Sequence, residues 1–437
     1  MSFCSDIFSS IRGNCRECMT TPLNKKKVLT FGGVVIVIII IIIIIAVSVQ
    51  RVNKPSVTKG SDIIKNHPFV LSGNTMAELI KVDYRNLIND LDLNKMIVAV
   101  EELIKGNVAT QIWDVGASSC TKAQYHDAVS ETLEQIDLMK RIIHLNTNFM
   151  LITNSADIKY AKDLKKLGSI LRVDGGYTLD SKLSILRTYY NLGVRILTIT
   201  GSCDNPWSKS VYNTDVKNTN TTLDNFGKSI IKEMSRLGMI IDIAGAMKET
   251  QLQILDAATA DNVPVLLSHS GSKDVVDDIN NVDKAVLDKL KQNGGLLLLS
   301  LNKDQVCKKS ANCTISEVIA HLDKLRESLN VTNIGFGANF GSKNMQYPVD
   351  LKDPEQFGSL FDRMLEKKSN DTVKWRVEDL KKLAGENFIN LFRTVEVIAA
   401  KDIKVKPIED ILDKNKLPAI ENATCYTDID VRYPKKN

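Results

Sequence analysis

The side chains that could carry hydrolytic or metal chemistry are few and widely spaced in this chain. Its five histidines are His67, His126, His144, His269 and His321. No two of them form the His-x-His or His-Glu-x-x-His spacing that brings imidazoles to one metal ion. No serine stands in the Gly-x-Ser-x-Gly pattern of a nucleophile elbow. Only His269, just past an apolar strand, is placed like a ligand, and a lone histidine there is more often structural.

The elements that must position such residues alternate between short apolar runs and longer helical patterns. Strands are predicted at 69–71, 108–113, 149–153, 169–174, 195–200, 239–244, 263–268, 296–301 and 333–337. Helices are predicted at 125–144, 181–192, 223–237, 248–260, 282–292 and 315–329. Strands separated by helices favour parallel pairing through right-handed crossovers. The pattern therefore predicts a (β/α)8 barrel with one peripheral strand. An open doubly wound sheet is the alternative, and its glycine-rich phosphate turn is missing.

In a (β/α)8 barrel the chemistry lies at the carboxyl ends of the strands. Those ends carry one carboxylate, Asp174, and one imidazole, His269. The other ends are small or neutral, at 72–75, 201–202, 245–246 and 339–341. The residues alone therefore predict a cleft without a catalytic set.

One segment is far more apolar than the rest. Residues 28–49 are uncharged and include eight consecutive isoleucines, and about 20 such residues cross a bilayer. A buried core helix and a cleaved signal peptide are the alternatives. Five basic residues against two acidic ones precede this segment, and basic flanks stay cytoplasmic. We therefore expect a single-pass type II protein of the plasma membrane with an extracellular ectodomain. The expected divisions are a tail at 1–27, an anchor at 28–49, a linker at 50–65, a barrel at 66–396 and a C-terminal arm at 397–437.

The positions of the sequons and cysteines relative to the apolar segment agree with this topology. All five sequons follow the apolar segment, which predicts glycosylation at Asn220, Asn312, Asn330, Asn370 and Asn422. The tail cysteines are candidates for palmitoylation: Cys4, Cys15 and Cys18. The remaining five are Cys120, Cys203, Cys307, Cys313 and Cys425, an odd number, so one is free or pairs between chains. The net charge of +5 is more than half in the tail, which leaves no basic stripe for nucleic acid.

The order of several motifs resembles that of the membrane (renal) dipeptidase family over residues 66–395. The matching runs include Thr132-Leu-Glu-Gln-Ile-Asp-Leu-Met-Lys140, Gly175-Gly176, Leu186-Arg-Thr-Tyr-Tyr-Asn-Leu-Gly-Val194, Ser202-Cys-Asp-Asn-Pro-Trp207 and Ser268-His269-Ser270. The resemblance implies a zinc-dependent (β/α)8 barrel, in agreement with the pattern of strands and helices.

The resemblance also shows where the family's chemistry falls in this chain. The metal-binding positions fall on Gly73, Thr75, Asp174, Gly245 and His269, and the catalytic and substrate-binding positions on Gly201, Asn280 and Asn339. A catalytic zinc needs about three protein ligands, and only two of these side chains can serve. We therefore expect no metal, no cofactor and no dipeptidase activity, and a role in binding an unknown small ligand or protein. The alternatives are a divergent zinc dipeptidase at the cell surface and a partner subunit for an active paralogue.

The resemblance implies disulfides as well. It pairs Cys120 with Cys203, and it gives Cys307 a partner position that falls on Val276, so that Cys313 replaces it. Cys425 matches a cysteine that links dimers in the family, which implies a disulfide-linked homodimer, and a free thiol on the arm is the alternative.

Overall fold

The computed structural model describes residues 59–75, 100–116, 127–212, 222–307, 312–338, 340, 345–366, 375–401 and 404–413. The predicted tail, its three cysteines and the predicted anchor at 28–49 lie outside these residues, as do Cys120, Asn220, Asn339, Asn370, Asn422 and Cys425. Within the described ranges, no helix has the length and apolarity to cross a membrane.

Nine parallel strands form one sheet. They are β1 (Val70–Thr75), β2 (Thr110–Asp114), β3 (Phe149–Leu151), β4 (Leu167–Asp174), β5 (Val194–Thr198), β6 (Ile240–Asp242), β7 (Leu266–Ser270), β8 (Leu296–Ser300) and β9 (Ile334–Gly337). The helices are α1 (Ser61–Asn66), α2 (Ala128–Leu145), α3 (Ser155–Asp163), α4 (Leu183–Asn191), α5 (Asn225–Leu237), α6 (Lys248–Ala260), α7 (Lys284–Asn293), α8 (Lys303–Val306), α9 (Ile315–Ser328), α10 (Phe357–Leu365), α11 (Val377–Lys381) and α12 (Asn387–Lys401).

The sheet closes on itself because β2 pairs with both β1 and β4. Eight strands form the closed barrel, and β3 is the extra one. It pairs with the start of β4, beside the stretch of β4 that pairs with β5. The predicted (β/α)8 barrel with one peripheral strand is therefore confirmed.

The observed strand limits differ from the predicted ones by up to four residues. The largest shift is at β1, which ends at Thr75 instead of 71. Strand β7 begins at Leu266 instead of 263 and continues to Ser270. His269 therefore lies within a strand of the barrel wall instead of just beyond it. The barrel strands are buried on both faces, as in β8, where all five residues are buried.

The outer helices pack through apolar stripes with defined ends. In α5 the buried face includes Phe226, Ile230 and Met234. Asp224 caps its start by accepting from Gly227 N at 2.8 Å, and Gly238 ends it in the left-handed conformation. Each such buried apolar side chain contributes about 1.5–3 kcal/mol to folding.

The segment at 404–413 is fixed to the barrel by one buried carboxylate of α5. Glu233 accepts from Ile408 N at 3.1 Å and from Arg187 Nη1 at 3.0 Å, and Arg236 donates two bonds of 2.8 Å to it. Burial raises the pKa of Glu233, but the hydrogen bonds from Arg236 and Arg187 outweigh burial, and the pKa is lowered. The helix before this segment, α12, continues to Lys401, five residues past the point at which the sequence pattern ends.

Replacing Glu233 with Gln should destabilise the protein by roughly 3 kcal/mol at pH 7, because two arginines lose their buried charge partner. A carboxylate with a lowered pKa stabilises the fold above its unfolded pKa of about 4.3, and this contribution is lost as the pH falls through the folded pKa. The difference between wild type and variant should therefore shrink below about pH 4. Urea unfolding of wild type and variant at pH 7 and at acid pH measures this difference in the free energy of unfolding.

The matched control is Glu327→Gln, which removes an exposed carboxylate 3.2 Å from Lys324 Nζ. Its cost should stay below about 1 kcal/mol. Equal costs for the two variants, or a Glu233→Gln effect independent of pH, would contradict the role given to Glu233.

Candidate functional site

A buried arginine lies at the centre of the barrel, near the carboxyl ends of its strands. Arg172 of β4 stands opposite Asp114 of β2, and its side chain is 1% exposed. Its Nε donates to Asp114 Oδ1, and its Nη2 donates to Asp114 Oδ2 at 2.6 Å. This two-point contact between guanidinium and carboxylate is the strongest geometry that such a pair can adopt.

The other side of the guanidinium faces β6 and β7. Its Nη1 donates to Asp242 Oδ2 at 3.3 Å and to Ser268 Oγ, and lies 3.3 Å from His269 Nδ1. Arg172 therefore joins four barrel strands through its own contacts. We call Arg172, Asp114, Asp242, Ser268 and His269 the guanidinium cluster.

Charge within the guanidinium cluster is fixed by burial and by the ion pairs. Burial lowers the pKa of Arg172, but Asp114 and Asp242 outweigh burial and raise it. Burial, with the positive charge of Arg172, lowers the pKa of His269 to about 4, so this imidazole is neutral at physiological pH. Because a guanidinium can only donate, the Nδ1 of His269 faces it as an acceptor.

Asp242 has no lone pair left for a metal ion. It is fully buried and accepts from Thr198 Oγ1 and Ser268 Oγ, both at 2.7 Å. It also accepts from two backbone amides, Ser268 N at 3.0 Å and Ala244 N at 3.2 Å. Asp204, on the loop after β5, is another carboxylate near the barrel mouth. Asp204 accepts from Ser210 N at 2.7 Å and pairs with Lys209 Nζ at 3.1 Å, so both carboxylates have structural partners.

Asp174, at the end of β4, is half-buried beside the guanidinium cluster. Burial raises its pKa to about 6, although Arg172 lowers it. A Cβ added to Gly201 would lie 3.2 Å from Asp174 Oδ1, so the carboxylate fills the space that a side chain at 201 would need. Asp174 and His269 are the two family metal positions that keep a suitable side chain.

Gly201 and Gly245 have become parts of a tight backbone contact. Their φ angles are +66° and +72°, in the left-handed region that favours glycine. A Cβ on Gly245 would lie 2.6 Å from Gly201 O. Ser210 Oγ lies 3.1 Å from Gly201 O and 3.2 Å from Gly245 O, and Val211 N donates to Gly245 O at 2.9 Å. The left-handed backbone favours glycine at both family positions, and at Gly245 a side chain would also collide with Gly201 O.

The remaining family positions are neutral. Gly73 has a φ of +97°, and its carbonyl accepts from Gln111 Nε2. Thr75 ends β1, and Asn339 lies outside the described residues. Asn280 accepts from Tyr212 Oη and donates to Asp278 Oδ1 at 3.2 Å. A zinc ion would therefore find no side chain at 73 or 245. It would also be repelled by a guanidinium, by several kcal/mol at a few ångströms even at an effective dielectric constant of about 20. The residues present do not fit a two-zinc centre.

Arg172 and Asp114 are the site residues that the sequence analysis missed. A period-2 reading of β4 would have found the arginine, because Ile170, Arg172 and Asp174 share one face of the strand. An arginine flanked by Leu171 and Val173 in an apolar run is a charge directed into a core, and such a charge requires a partner.

The other predicted residues have structural roles. His321 is buried, accepts from Ser272 N at 2.9 Å and has its pKa lowered to about 4 by burial, so it is a packing histidine. Cys307 and Cys313 form a disulfide with Cα atoms 5.7 Å apart, which confirms that pairing. Cys203 is also disulfide-bonded, whereas Cys120 lies outside the described residues. The side chains of two predicted glycosylation sites, Asn312 and Asn330, are exposed.

A separate cavity of about 510 Å³ lies where α1, α3 and the start of α12 meet. His67 and Lys162 are among its lining residues. It contains none of the family's metal or catalytic positions, so it plays no part in the arrangement at the barrel mouth.

The comparisons with known proteins decide the family. Residues 58–405 match the model of the membrane dipeptidase family, peptidase family M19. This chain is a member of the membrane dipeptidase family. It is 31% identical over 353 residues to human (Homo sapiens) Dipeptidase 3, covering 79% of this chain and 69% of that protein. It is 28% identical to an uncharacterised dipeptidase of Schizosaccharomyces pombe, covering 77% of this chain and 83% of that protein.

Solved structures share the barrel. The probable dipeptidase PvdM from Pseudomonas aeruginosa has a TM-score of 0.66 at 14% identity, covering 78% of this chain and 98% of the other. A metallo peptidase from Rhodobacter sphaeroides, liganded with a phosphinate mimic of the dipeptide L-Ala-D-Ala, has a TM-score of 0.62 at 15% identity, covering 75% and 98%. At such identities the likeness concerns the fold. The described residues of the matched range therefore form a dipeptidase-type barrel whose mouth contains the guanidinium cluster.

Replacing Gly245 with Ala tests whether the glycine contact is structural. Ala costs about 1–2 kcal/mol in the left-handed region, and the clash with Gly201 O should add roughly 1–3 kcal/mol. The control is Gly294→Ala. Gly294 has a φ of +71°, and its added Cβ would meet nothing within 4 Å. Chemical denaturation measures the free energy of unfolding of both variants. Equal losses of stability would show that the Gly201–Gly245 contact has room for a side chain.

Proposed function

We propose that this member of the membrane dipeptidase family does not hydrolyse dipeptides and acts by binding a ligand or partner at the barrel mouth. One observation carries the proposal: Gly201 and Gly245 are packed backbone to backbone in left-handed conformations. A metal-binding side chain at Gly245 would need this contact to open, and a side chain at Gly201 would crowd Asp174 and Gly175.

The electrostatics of the mouth support the same conclusion. A hydrolytic two-metal centre needs anionic ligands that are free to neutralise the ions. Here the buried carboxylates Asp114 and Asp242 already neutralise Arg172, and His269 Nδ1 faces the guanidinium. A proton carrier is also needed for amide hydrolysis, and the family's catalytic position holds Asn339, an amide that cannot carry one.

The rival function is a divergent zinc dipeptidase. The names of the relatives favour it, since human Dipeptidase 3 and the fission-yeast protein are both called dipeptidases. The retained Asp174 and His269 favour it as well, because the family is zinc-dependent and these two positions could each supply one ligand. The two functions differ in whether the protein holds metal and turns over dipeptides.

The proposed setting is the cell surface. The apolar run at 28–49, the basic tail and the five sequons support a glycosylated ectodomain anchored as a type II protein. The partner is proposed to be a second copy of this chain, joined through Cys425, with an unidentified small ligand or protein at the barrel mouth.

The full-length protein in detergent should contain less than one zinc per chain and hydrolyse no dipeptide above the rate without enzyme. Metal content by mass spectrometry and a dipeptide panel with added zinc measure this, with a catalytically active family member as the positive control. Two zinc ions per chain together with turnover would establish the rival function.

Non-reducing electrophoresis tests the proposed dimer. Wild type should run as a dimer that becomes a monomer on reduction, and Cys425→Ser should run as a monomer in both conditions. Cys307→Ser is the control, because it breaks an intrachain disulfide and should leave the dimer band in place. A wild-type monomer band that reductant does not change would rule out the link.

A further inference from the structure

The guanidinium of Arg172 lies beside the two family metal positions that keep a suitable side chain. Its Nη1 is 3.3 Å from His269 Nδ1, and His269 is one of the two surviving family metal positions. The other, Asp174, lies two residues away on the same face of β4. The cationic end of Arg172 is thus at the barrel mouth, although its side chain is almost fully buried.

We propose that Arg172 is an internal cation that replaces the family's metal ions in holding the barrel mouth together. This inference rests on the proposed function, because it assumes that the mouth is free of catalytic metal. A bound metal joins the strand ends by drawing carboxylates and imidazoles from several strands to one positive centre. Arg172 does the same through Asp114 of β2, Asp242 of β6 and His269 of β7.

The hydrogen-bond geometry favours a guanidinium at this place over a free ion. A guanidinium offers five N–H donors in one plane. Asp114 receives two of its bonds as a pair, and Asp242, Ser268 and His269 surround Nη1. The acceptors are therefore spread around the edge of a planar guanidinium. A zinc ion instead needs its ligands to converge within about 2.0–2.3 Å of one point.

Asp114 and Asp242 depend on the positive charge of Arg172 because both carboxylates are buried. The side chain of Asp242 is 0% exposed and that of Asp114 is 10% exposed. A buried carboxylate that loses its counter-ion destabilises a protein far more than an exposed one does. Arg172 is therefore a positioning residue for the mouth, and removing its charge should be felt at Asp114 and Asp242 together.

The experiment is chemical rescue of the full-length protein in detergent. Arg172→Ala should lower the Tm by about 5–10 °C, because two buried carboxylates lose their cation. Free guanidinium, added far below the molar concentrations that unfold proteins, should restore at least about half of that loss by occupying the emptied place. The same addition should leave the Tm of wild type unchanged or slightly lower.

Two further variants separate charge from shape. In Arg172→Ala/Asp114→Asn the two-point partner is neutral and only Asp242 stays anionic, so guanidinium should raise the Tm much less than in Arg172→Ala. Arg172→Lys keeps the charge and should lose less stability than Arg172→Met, which keeps only the length. If Arg172→Ala does not accumulate as folded protein, the Lys and Met comparison tests the inference by itself. An Arg172→Met protein as stable as wild type or Arg172→Lys would overturn the inference.

A metal titration closes the test. Zinc should not raise the Tm of wild type. A saturable rise in Tm that His269→Ala abolishes would overturn the inference, because metal and guanidinium would then share the mouth. Dipeptide hydrolysis by wild type would refute the proposed function itself. An inert wild type whose Arg172→Ala variant is not rescued by guanidinium would refute only the role of Arg172.

Discussion

The arrangement of the barrel mouth depends on one buried positive charge. An arginine almost fully removed from water is tolerated only where carboxylates and acceptors surround it, since the desolvation of an unpaired charge costs several kcal/mol. Arg172 satisfies that requirement with groups from strands on different sides of the barrel. The guanidinium contacts both Asp242 and His269. Its charge adds to the burial that lowers the pKa of His269.

The glycine contact belongs to the same rearrangement. With Gly201 lacking a side chain, Asp174 has room beside the guanidinium cluster. With Gly245 lacking one, the backbone after β6 approaches the backbone after β5, and Ser210 lies against both carbonyls. Positions that looked in the sequence like simple losses of ligands are thus occupied by backbone contacts that a side chain would disrupt.

The sequence predicts the barrel well because its signals are local and repeated. Apolar runs such as the one in β8 and the helical periodicity of α5 occur along the whole chain, so all nine strands could be placed within a few residues. The site was predicted only in outline. Inspecting each family position separately showed that Gly73, Gly201 and Gly245 have no side chain to offer. The ion pair of Arg172 with Asp114, however, joins residues 58 positions apart in the sequence. That pairing depends on how the sheet closes, which no local pattern encodes. The start of β7 was also predicted too early. The apolar run begins at Val263, whereas the chain enters the sheet only at Leu266.

The guanidinium cluster has a consequence for how such a protein can change over generations. Building a two-zinc centre in this barrel would require the loss of Arg172, the release of Asp114 and Asp242, and a new ligand at Gly245. Taken one at a time, each step is unfavourable, since it leaves a buried charge without a partner or forces a side chain against Gly201 O. Proteins lie only slightly above the stability at which they remain folded. Under the proposed function, mutations around the guanidinium cluster that leave its ion pairs intact remain open to this protein, whereas those that would build a two-zinc centre pass through unstable intermediates.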